Sequence, residues 1–358
     1  MFQYIIRRLL QSIPLLILIS LALFILMQAS GDPLATLGGR QPPNPRDRAR
    51  LERQLGLDQP LLIQYLIWLA GDDWMRRDTD GDKIADEAVL IPLTDPEGEP
   101  LPPGGRYGVL RGDFGNSLVT RQPAMKVIAD RIPATLLLTV TAEIVIVVFA
   151  LIIGVVSALR QYSWLDNVLT TISFITFSFP IFLMALLLMY IFAVNFRRWG
   201  LPYLPISGMF DPIIGPTFSE VAYHLVLPVL SISLISIAGY SRFIRSTMLE
   251  VINSDYIRTA RAKGLPERRT IMVHAFKNAS LPLVTIIGLD IPFFFAGAVV
   301  TETIFGWPGL GKQFIESIGR SDFPVLMGML MLISVAVVIF QLLTDLVYTY
   351  LDPRIRYD

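Results

Sequence analysis

The chain has 358 residues, of which 53% are hydrophobic and only 17% are charged, whereas a soluble domain carries about 25% charged residues. Lys and Arg together number 30, as do Asp and Glu, so the chain lacks the positive excess that nucleic-acid binding requires. The absence of Cys excludes disulfides, thiolate metal sites and Cys nucleophiles, and two His residues argue against a His-based zinc site. Composition therefore favours a polytopic membrane protein.

Several apolar runs are long enough to cross the membrane, since a helix needs about 20 residues to span roughly 30 Å of hydrocarbon. In chain order the six runs are 9–29, 134–158, 168–194, 221–240, 281–300 and 325–348. We interpret them as spans rather than as buried core helices. The first run follows Arg7 and Arg8, as a signal peptide would, but we find no small-residue cleavage site after it. The predicted fold class is an all-α membrane protein with six transmembrane helices.

The distribution of basic residues predicts the orientation of these spans. Loop 241–280 carries eight basic residues against three acidic ones, whereas loops 195–220 and 301–324 carry two basic residues each. Loop 241–280 is therefore placed inside, together with residues 1–8, 159–167 and 349–358. Both termini are predicted to be cytoplasmic, and a long extracytoplasmic segment separates the first two helices.

These spans divide the chain into four regions. Residues 1–30 form the cytoplasmic N-terminus and the first transmembrane helix, and residues 31–133 form the extracytoplasmic segment. Residues 134–350 form a transmembrane core with five helices and cytoplasmic loop 241–280. Residues 351–358 form a cytoplasmic tail.

The extracytoplasmic segment has two parts of different character. Residues 51–69 predict one or two short helices with an apolar face, while the stretch of about 71–105 contains an Asp-rich run. Closely spaced carboxylates suit Ca²⁺, which takes six to eight oxygen ligands, and the run resembles the calcium repeats of thrombospondin type 3 modules. The alternative is a solvated acidic loop. The calcium ligands we predict are Asp78, Asp80, Asp82, Asp86, the carbonyl of Ile84, and Glu87.

A short helix is predicted inside loop 241–280. Ser254 or Asp255 is placed to cap a helix that begins near Tyr256, and Gly264 occupies the position of a left-handed C-terminal cap before Pro266. A short basic helix between two spans is suited either to lie on anionic headgroups or to dock into a groove on a cytosolic protein. The residues alone leave both interpretations open.

Charged residues inside predicted spans are costly and usually face a cavity or a partner. Asp290 lies in the middle of its span and is the best candidate for lining a translocation path, where a carboxylate attracts a peptide amino terminus; the alternative is a buried hydrogen bond to a neighbouring helix. For Glu143 we favour a structural role, in which it pairs with a neighbouring hydroxyl or with the partner subunit. Asp345 lies near the inner surface.

One further motif is a false lead. Residues 306–313 match most of a phosphate-binding loop, but Gln313 replaces the Ser or Thr that would hold Mg²⁺, and no strand precedes the loop. We interpret the stretch as a tight turn that packs the outer mouth of a pore.

The segment Tyr256-Ile257-Arg258-Thr259-Ala260-Arg261-Ala262-Lys263-Gly264 resembles the coupling-loop signature of binding-protein-dependent ABC permeases. It is most similar to the first permease subunit of the dipeptide/oligopeptide/nickel group. Other matching stretches follow in order along nearly the whole chain, at residues 31–33, 55–58, 112–117, 131–135, 301–311 and 351–356. The chain departs from the general loop motif, which begins Glu-Ala-Ala where this chain has Arg258-Thr259-Ala260. The Asp-rich stretch is an insertion whose role cannot be carried over.

The resemblance implies the type I permease fold of ABC importers and a non-catalytic subunit of the cytoplasmic (inner) membrane without a cofactor of its own. Its implied partners are the lipid bilayer, a homologous second permease subunit, two cytosolic ABC ATPase subunits that bind ATP, and an extracytoplasmic solute-binding protein. The helix would dock the ATPases through Asp255, Tyr256, Arg258, Thr259, Ala260, Arg261, Lys263 and Gly264. The solute expected is a di- or oligopeptide or a related small molecule.

Two alternatives from other classes remain at this stage. One is a secondary transporter driven by an ion gradient, which favours internal repeats and broken helices; no repeat is visible between the halves of this chain. The other is a membrane-anchored calcium-binding or sensory protein whose working part is 30–133.

Overall fold

A computed structural model describes residues 2–29, 57, 60–71, 76–77, 87–88, 107–280, 282–283, 286–288, 290 and 298–351. The chain divides into two compact units. The first comprises Met1–Arg131 and Phe314–Val335, and the second comprises Ile132–Gln313 and Ala336–Asp358.

The first unit is built around the N-terminal helix. A two-residue antiparallel hairpin pairs Arg76 with Ala88 and Arg77 with Glu87, and a 3₁₀ turn covers Val109–Arg111. The elements of this unit are α1 (Phe2–Ala29), α2 (Leu61–Ala70), β1 (Arg76–Arg77), β2 (Glu87–Ala88) and α3 (Ala124–Ala129). Of the predicted helical stretch 51–69, the part from Leu61 onward is confirmed as α2.

The second unit holds most of the helical bundle. Its helices are α4 (Ile132–Leu159), α5 (Trp164–Phe177), α6 (Ile181–Leu188), α7 (Phe196–Arg198), α8 (Phe218–Ile252), α9 (Asp255–Ala262), α10 (Glu267–Arg269), α11 (Phe276–Ala279) and α12 (Val299–Ile304). Two π-helical stretches, Met189–Asn195 and Thr270–Ala275, continue α6 and α10. The last two helices, α13 (Leu310–Gly319) and α14 (Phe323–Leu351), each contribute residues to both units.

Within the described ranges, five helices are long and apolar enough to cross a membrane. They cover Ile6–Ala29, Ala124–Leu159, Ile181–Arg198, Phe218–Ile252 and Phe323–Thr344. The predicted span 281–300 falls largely outside the described residues, so the sixth helix stays a prediction.

Two predicted boundaries were wrong. The run 168–194 is not one helix, because α5 ends at Phe177 and α6 starts after Pro180, whose ring removes the backbone donor that a continuous helix needs. Loop 241–280 also begins later than predicted, since α8 continues to Ile252. Pro228 lies inside α8 without ending it.

Close contact between α4 and α8 organises the core of the second unit. A Cβ built on Gly154 of α4 would lie 2.8 Å from Cβ of Ile244 and 2.8 Å from the carbonyl oxygen of Ser241, both in α8. Glycine therefore permits the two backbones to approach, as small residues do at helix interfaces in membranes. This contact lies two turns before α8 ends and leads into α9.

Candidate functional site

Helix α9 confirms the short helix predicted in loop 241–280 and is anchored by one side chain. Ile257 is fully buried and packs in a cluster with Ala158 of α4 and Ile244 and Met248 of α8. Burying an isoleucine contributes about 1.5–3 kcal/mol. Ala260, one turn further on, is half-buried. The other predicted docking residues are exposed: Asp255, Tyr256, Arg258, Thr259, Arg261, Lys263 and Gly264.

The two ends of α9 differ in how far they follow the prediction. Gly264 has φ +76°, as the left-handed cap requires, and its N–H donates to the carbonyl of Arg261 at 2.9 Å. Ser254 occupies the N-cap position but makes no side-chain capping bond; its hydroxyl donates to the carbonyl of Val251 at 2.6 Å instead. The helix therefore has its predicted C-terminal cap but lacks a side-chain cap at its N-terminus.

The exposed charges of α9 are not equivalent. Arg261 donates to both carboxylate oxygens of Glu267 in α10, with distances of 2.7 and 3.1 Å, and holds the pKa of Glu267 below its usual range. The Arg258 guanidinium lies 3.8 Å from Asp255, with both side chains largely exposed. Arg261 thus links α9 to α10, whereas the longer Arg258–Asp255 contact leaves the Arg258 side chain exposed on the surface of α9.

The best-defined polar contact near α9 joins residues that the sequence did not single out. Asp166, at the start of α5, is 2% exposed. It accepts from Nε and Nη2 of Arg245 in α8 at 2.9 and 2.8 Å and from the hydroxyl of Ser157 in α4. One carboxylate therefore joins three helices, and its partner Arg245 lies ten residues before α9 begins.

The same carboxylate also binds the chain at the start of α5. Ser163 caps this helix, since its Oγ accepts from the N–H of Asp166 at 3.2 Å, while the N–H of Tyr162 donates to the Asp166 carboxylate at 2.9 Å. The arrangement is similar to a capping box, but the carboxylate accepts from the residue before the N-cap. The bond from Arg245 is the main reason that the pKa of Asp166 lies well below its usual range. The Ser-x-x-Asp spacing was a visible signal of the cap, but nothing in the sequence indicated its partner Arg245.

Asp290 is found in a polar group inside the bundle. The hydroxyl of Tyr240 in α8 donates to its carboxylate, and Glu143 of α4 is close enough to interact electrostatically with it. The buried Oε1 of Glu143 makes no hydrogen bond to any described residue, so the hydroxyl partner expected for that oxygen is not observed. Helices α8 and α4 thus place Tyr240 and Glu143 beside Asp290. The sequence pointed to the two acids but not to the tyrosine.

The glycine-rich stretch 306–312 surrounds the side-chain carboxylate of Glu302. The fully buried carboxylate of Glu302 accepts from the N–H of Lys312 at 3.1 Å and from the hydroxyl of Thr135 at 2.8 Å. A Cβ on Gly309 would lie 2.4 Å from that carboxylate, and one on Gly311 would lie 2.6 Å from Cα of Val299. The glycines therefore make room for a carboxylate, where a phosphate-binding loop makes room for a phosphate.

This turn is tied back to the start of α4. Oγ1 of Thr135 accepts from the N–H of Leu310 at 2.7 Å, and Nε1 of the fully buried Trp307 donates to the carbonyl of Ala134 at 2.8 Å. Desolvation raises the pKa of Glu302 despite the bonds it accepts. The tight-turn interpretation agrees with this packing; the predicted position at a pore mouth stays a prediction.

The predicted calcium ligands fall almost entirely outside the described residues: Asp78, Asp80, Asp82, Ile84 and Asp86. The sixth, Glu87, lies in β2, whose pairing with β1 brings together the two ends of the Asp-rich run. No group of three or more potential metal-binding side chains occurs in the part of the chain that the structure describes. Asp345 is likewise placed in α14 without a described side chain.

Two family models match the chain. Residues 150–357 match the binding-protein-dependent transport system inner membrane component, and residues 1–83 match the N-terminal part of the membrane component of such systems. Together these matches include α1 and the whole stretch from α8 to α10.

Curated relatives match over the full length. The oligopeptide transport system permease protein AppB of Bacillus subtilis is 37% identical over 100% of both chains. The dipeptide transport system permease protein DppB of Escherichia coli is 34% identical over 100% of this chain and 99% of its own. The glutathione transport system permease protein GsiC of Salmonella choleraesuis is 32% identical over 100% of both.

These matches confirm the resemblance drawn from the motifs, and they support neither of the two alternative classes. The apolar helices agree with a multi-pass protein of the inner membrane. The chain belongs to the family of binding-protein-dependent transport system inner membrane components.

Proposed function

We propose that this chain is the non-catalytic permease subunit of an ATP-driven ABC importer that moves peptides or related small solutes across the cytoplasmic membrane. The observation that carries the proposal is the full-length similarity to permeases named for oligopeptide, dipeptide and glutathione transport. The exposed polar face of α9 supports it, since a helix seated by Ile257 presents its remaining residues to a partner.

The proposed complex contains this chain, a homologous second permease subunit, two cytosolic ATPase subunits and an extracytoplasmic solute-binding protein. Both termini of this chain are cytoplasmic in this arrangement, as are the docking helix α9 and loop 159–167. The partner ATPases bind the ATP.

Reconstitution tests the function directly. The chain is co-expressed with a homologous second permease and two ABC ATPase subunits, and the purified complex is placed in liposomes with a solute-binding protein. We expect ATP-dependent accumulation of a radiolabelled dipeptide or tripeptide. Accumulation that persists without ATP and follows an imposed proton gradient would instead identify an ion-driven carrier.

We further propose that Asp290 lines the translocation path. Its pairing with Tyr240, next to Glu143, gathers negative charge inside a membrane bundle, where such groups usually serve transport. Asn at position 290 still accepts from Tyr240 but lacks the charge that attracts a peptide amino terminus. A hydrogen bond to a charged group contributes about 1.5–3 kcal/mol, so its loss corresponds to a roughly 10–100-fold change in affinity.

Asp290→Asn is therefore expected to lower peptide uptake by roughly tenfold or more while the complex still assembles. Tyr240→Phe is the matched control, because it removes the hydrogen bond and keeps the carboxylate. Equal uptake by wild type and Asp290→Asn, measured with neutral and cationic peptides, would contradict a role for the charge.

The Asp-rich insertion is proposed as a weak extracytoplasmic calcium site. The β1–β2 pairing supports it, because it brings together Arg77 and Glu87, which flank the Asp-rich run. We expect Ca²⁺ at about 10⁻⁴–10⁻³ M, the range of extracellular modules, to slow proteolysis of this loop in the intact complex. Asp80→Ala combined with Asp82→Ala should remove that protection, and identical cleavage rates with Ca²⁺ and with chelator would reduce the run to a solvated loop.

A further inference from the structure

Helix α2 is an unusual element for the extracytoplasmic segment to which the sequence assigned it. None of its ten residues, Leu61–Ala70, is charged. Leu62 is 65% exposed and Leu66 is 43% exposed, one turn apart on the same side. Large apolar side chains grouped on an exposed helix face indicate an interaction surface.

The depth of α2 is set by its contacts with α1. The hydroxyl of Tyr65 lies 2.7 Å from the hydroxyl of Ser20 and donates to the carbonyl of Ile17 at 3.3 Å. Ser20 lies nine residues before α1 ends at Ala29, which is about 13 Å along the helix axis. Because residues Ile6–Ala29 are the membrane-crossing part of α1, Tyr65 reaches into the apolar layer.

The neighbouring residue points the other way. Gln64 accepts from Nε2 of Gln28 at 3.1 Å, at the last turn of α1, while the ring of Trp68 lies 5.8 Å from that of Phe24. Adjacent residues of α2 thus contact α1 at depths that differ by about two turns. A helix parallel to α1 cannot do this, whereas a helix that crosses α1 near Phe24 does.

The exposed leucines lie on the deeper side of this crossing helix. At about 100° per residue, Leu62 and Leu66 are each roughly 160° from Gln64, which points to the end of α1. Leu62 is about 60° and Leu66 about 100° from Tyr65, which points toward the middle of α1. A buried hydroxyl such as that of Tyr65 needs a partner in hydrocarbon, and Ser20 supplies it.

We propose that α2 is an in-plane membrane helix, embedded in the leaflet at the C-terminal end of α1, with Leu62 and Leu66 against lipid acyl chains. Gln64 faces the polar side of the interface. This is the geometry of monotopic amphipathic helices, whose apolar faces sink about 5–10 Å into the headgroup boundary. The segment after α1 therefore begins by binding the membrane surface and holding α1 at a set depth.

The chain has no cysteine, so single labelling sites can be introduced cleanly. Leu62→Cys and Leu66→Cys are spin-labelled in the intact complex in liposomes, and collisions with O₂, which concentrates in lipid, are compared with collisions with a water-soluble Ni²⁺ chelate. Leu18→Cys in α1, which is 65% exposed, is the lipid-facing control. Gln122→Cys, at an exposed polar position before α3, is the aqueous control.

We expect labels at 62 and 66 to behave like the label at 18, with O₂ collisions several times more frequent relative to Ni²⁺ than at 122. Labels that match the one at 122 would place α2 in water and overturn the proposal. Immobilised labels that neither reagent reaches would show that a protein subunit covers this face, which also overturns it.

Discussion

Replacing Gly264 with valine is expected to abolish association of the ATPase subunits while leaving the chain in the membrane. Gly264 has φ +76°, a conformation that costs a β-branched residue about 1–3 kcal/mol, and no atom of a neighbouring residue lies within 4 Å of the position its Cβ would take. The damage therefore comes from the backbone, which must change where α9 ends. Co-purification of the ATPases and ATP-dependent uptake are the measurements, and uptake should fall by roughly tenfold or more.

The chain offers a matched control for this substitution. Gly200 has φ +68° and also has no neighbouring atom within 4 Å of a built Cβ, but it lies in loop 195–220, which is predicted to be on the other side of the membrane. Gly200→Val carries a similar backbone cost and should retain the ATPases. If both variants lose them equally, α9 has no special part in docking.

A second variant tests whether the packing of α9 against the bundle controls docking. Ala260 is half-buried one turn after the anchor Ile257, so Ala260→Asp places a charge on the partly covered side of α9. We expect the same loss of ATPase association as for Gly264→Val. Normal co-purification with Ala260→Asp would show that the seating of α9 does not control docking.

Removing the Asp166 carboxylate is expected to have the largest effect on stability. Asp166→Ala leaves the Arg245 guanidinium, whose side chain is 26% exposed, without its bidentate partner, and breaking a buried pair in this way costs about 3–5 kcal/mol. The change also removes the acceptor of the Tyr162 N–H at the start of α5, while Ser163 still caps the helix. The measurement is the thermal unfolding of the purified complex, with a Tm several degrees below that of the wild type.

The control is an ion pair of similar geometry on the surface. Arg261 and Glu267 also form a bidentate pair, but both side chains are exposed, and such pairs contribute little because water and salt screen them. Glu267→Gln should therefore leave the Tm unchanged. A Tm for Asp166→Ala equal to that of the wild type would show that the three-helix contact does not stabilise the bundle.

The pH dependence of this effect has a definite sign. Because Arg245 lowers the pKa of Asp166 in the folded chain, the carboxylate contributes stability above the pKa of an unfolded Asp, about 3.9. That contribution is lost only as the pH falls through the lower folded pKa. The Tm difference between wild type and Asp166→Ala should thus stay constant from about pH 5 to 8 and shrink only in stronger acid.

Local chemistry explains what the sequence predicted about this site. The positive φ of Gly264 and the anchoring position of α9 between two spans follow from residue types within a few positions of each other. The two boundary errors have a different origin. Hydropathy did not distinguish an apolar helix from an apolar run that Pro180 divides, and it did not register that α8 stays helical as its residues become polar after Tyr240.

By itself, the sequence determined the membrane class, the family and the short helix α9, because run length, glycine spacing and short motifs are properties of neighbouring residues. Only the tertiary structure decided the partners of the buried polar groups. Asp166 and Arg245 are 79 positions apart, and Thr135 and Glu302 are 167 positions apart, so no periodicity connects them. A charge or hydroxyl shielded from water must find a partner wherever helix packing brings one, and that packing is settled by contacts between whole helices.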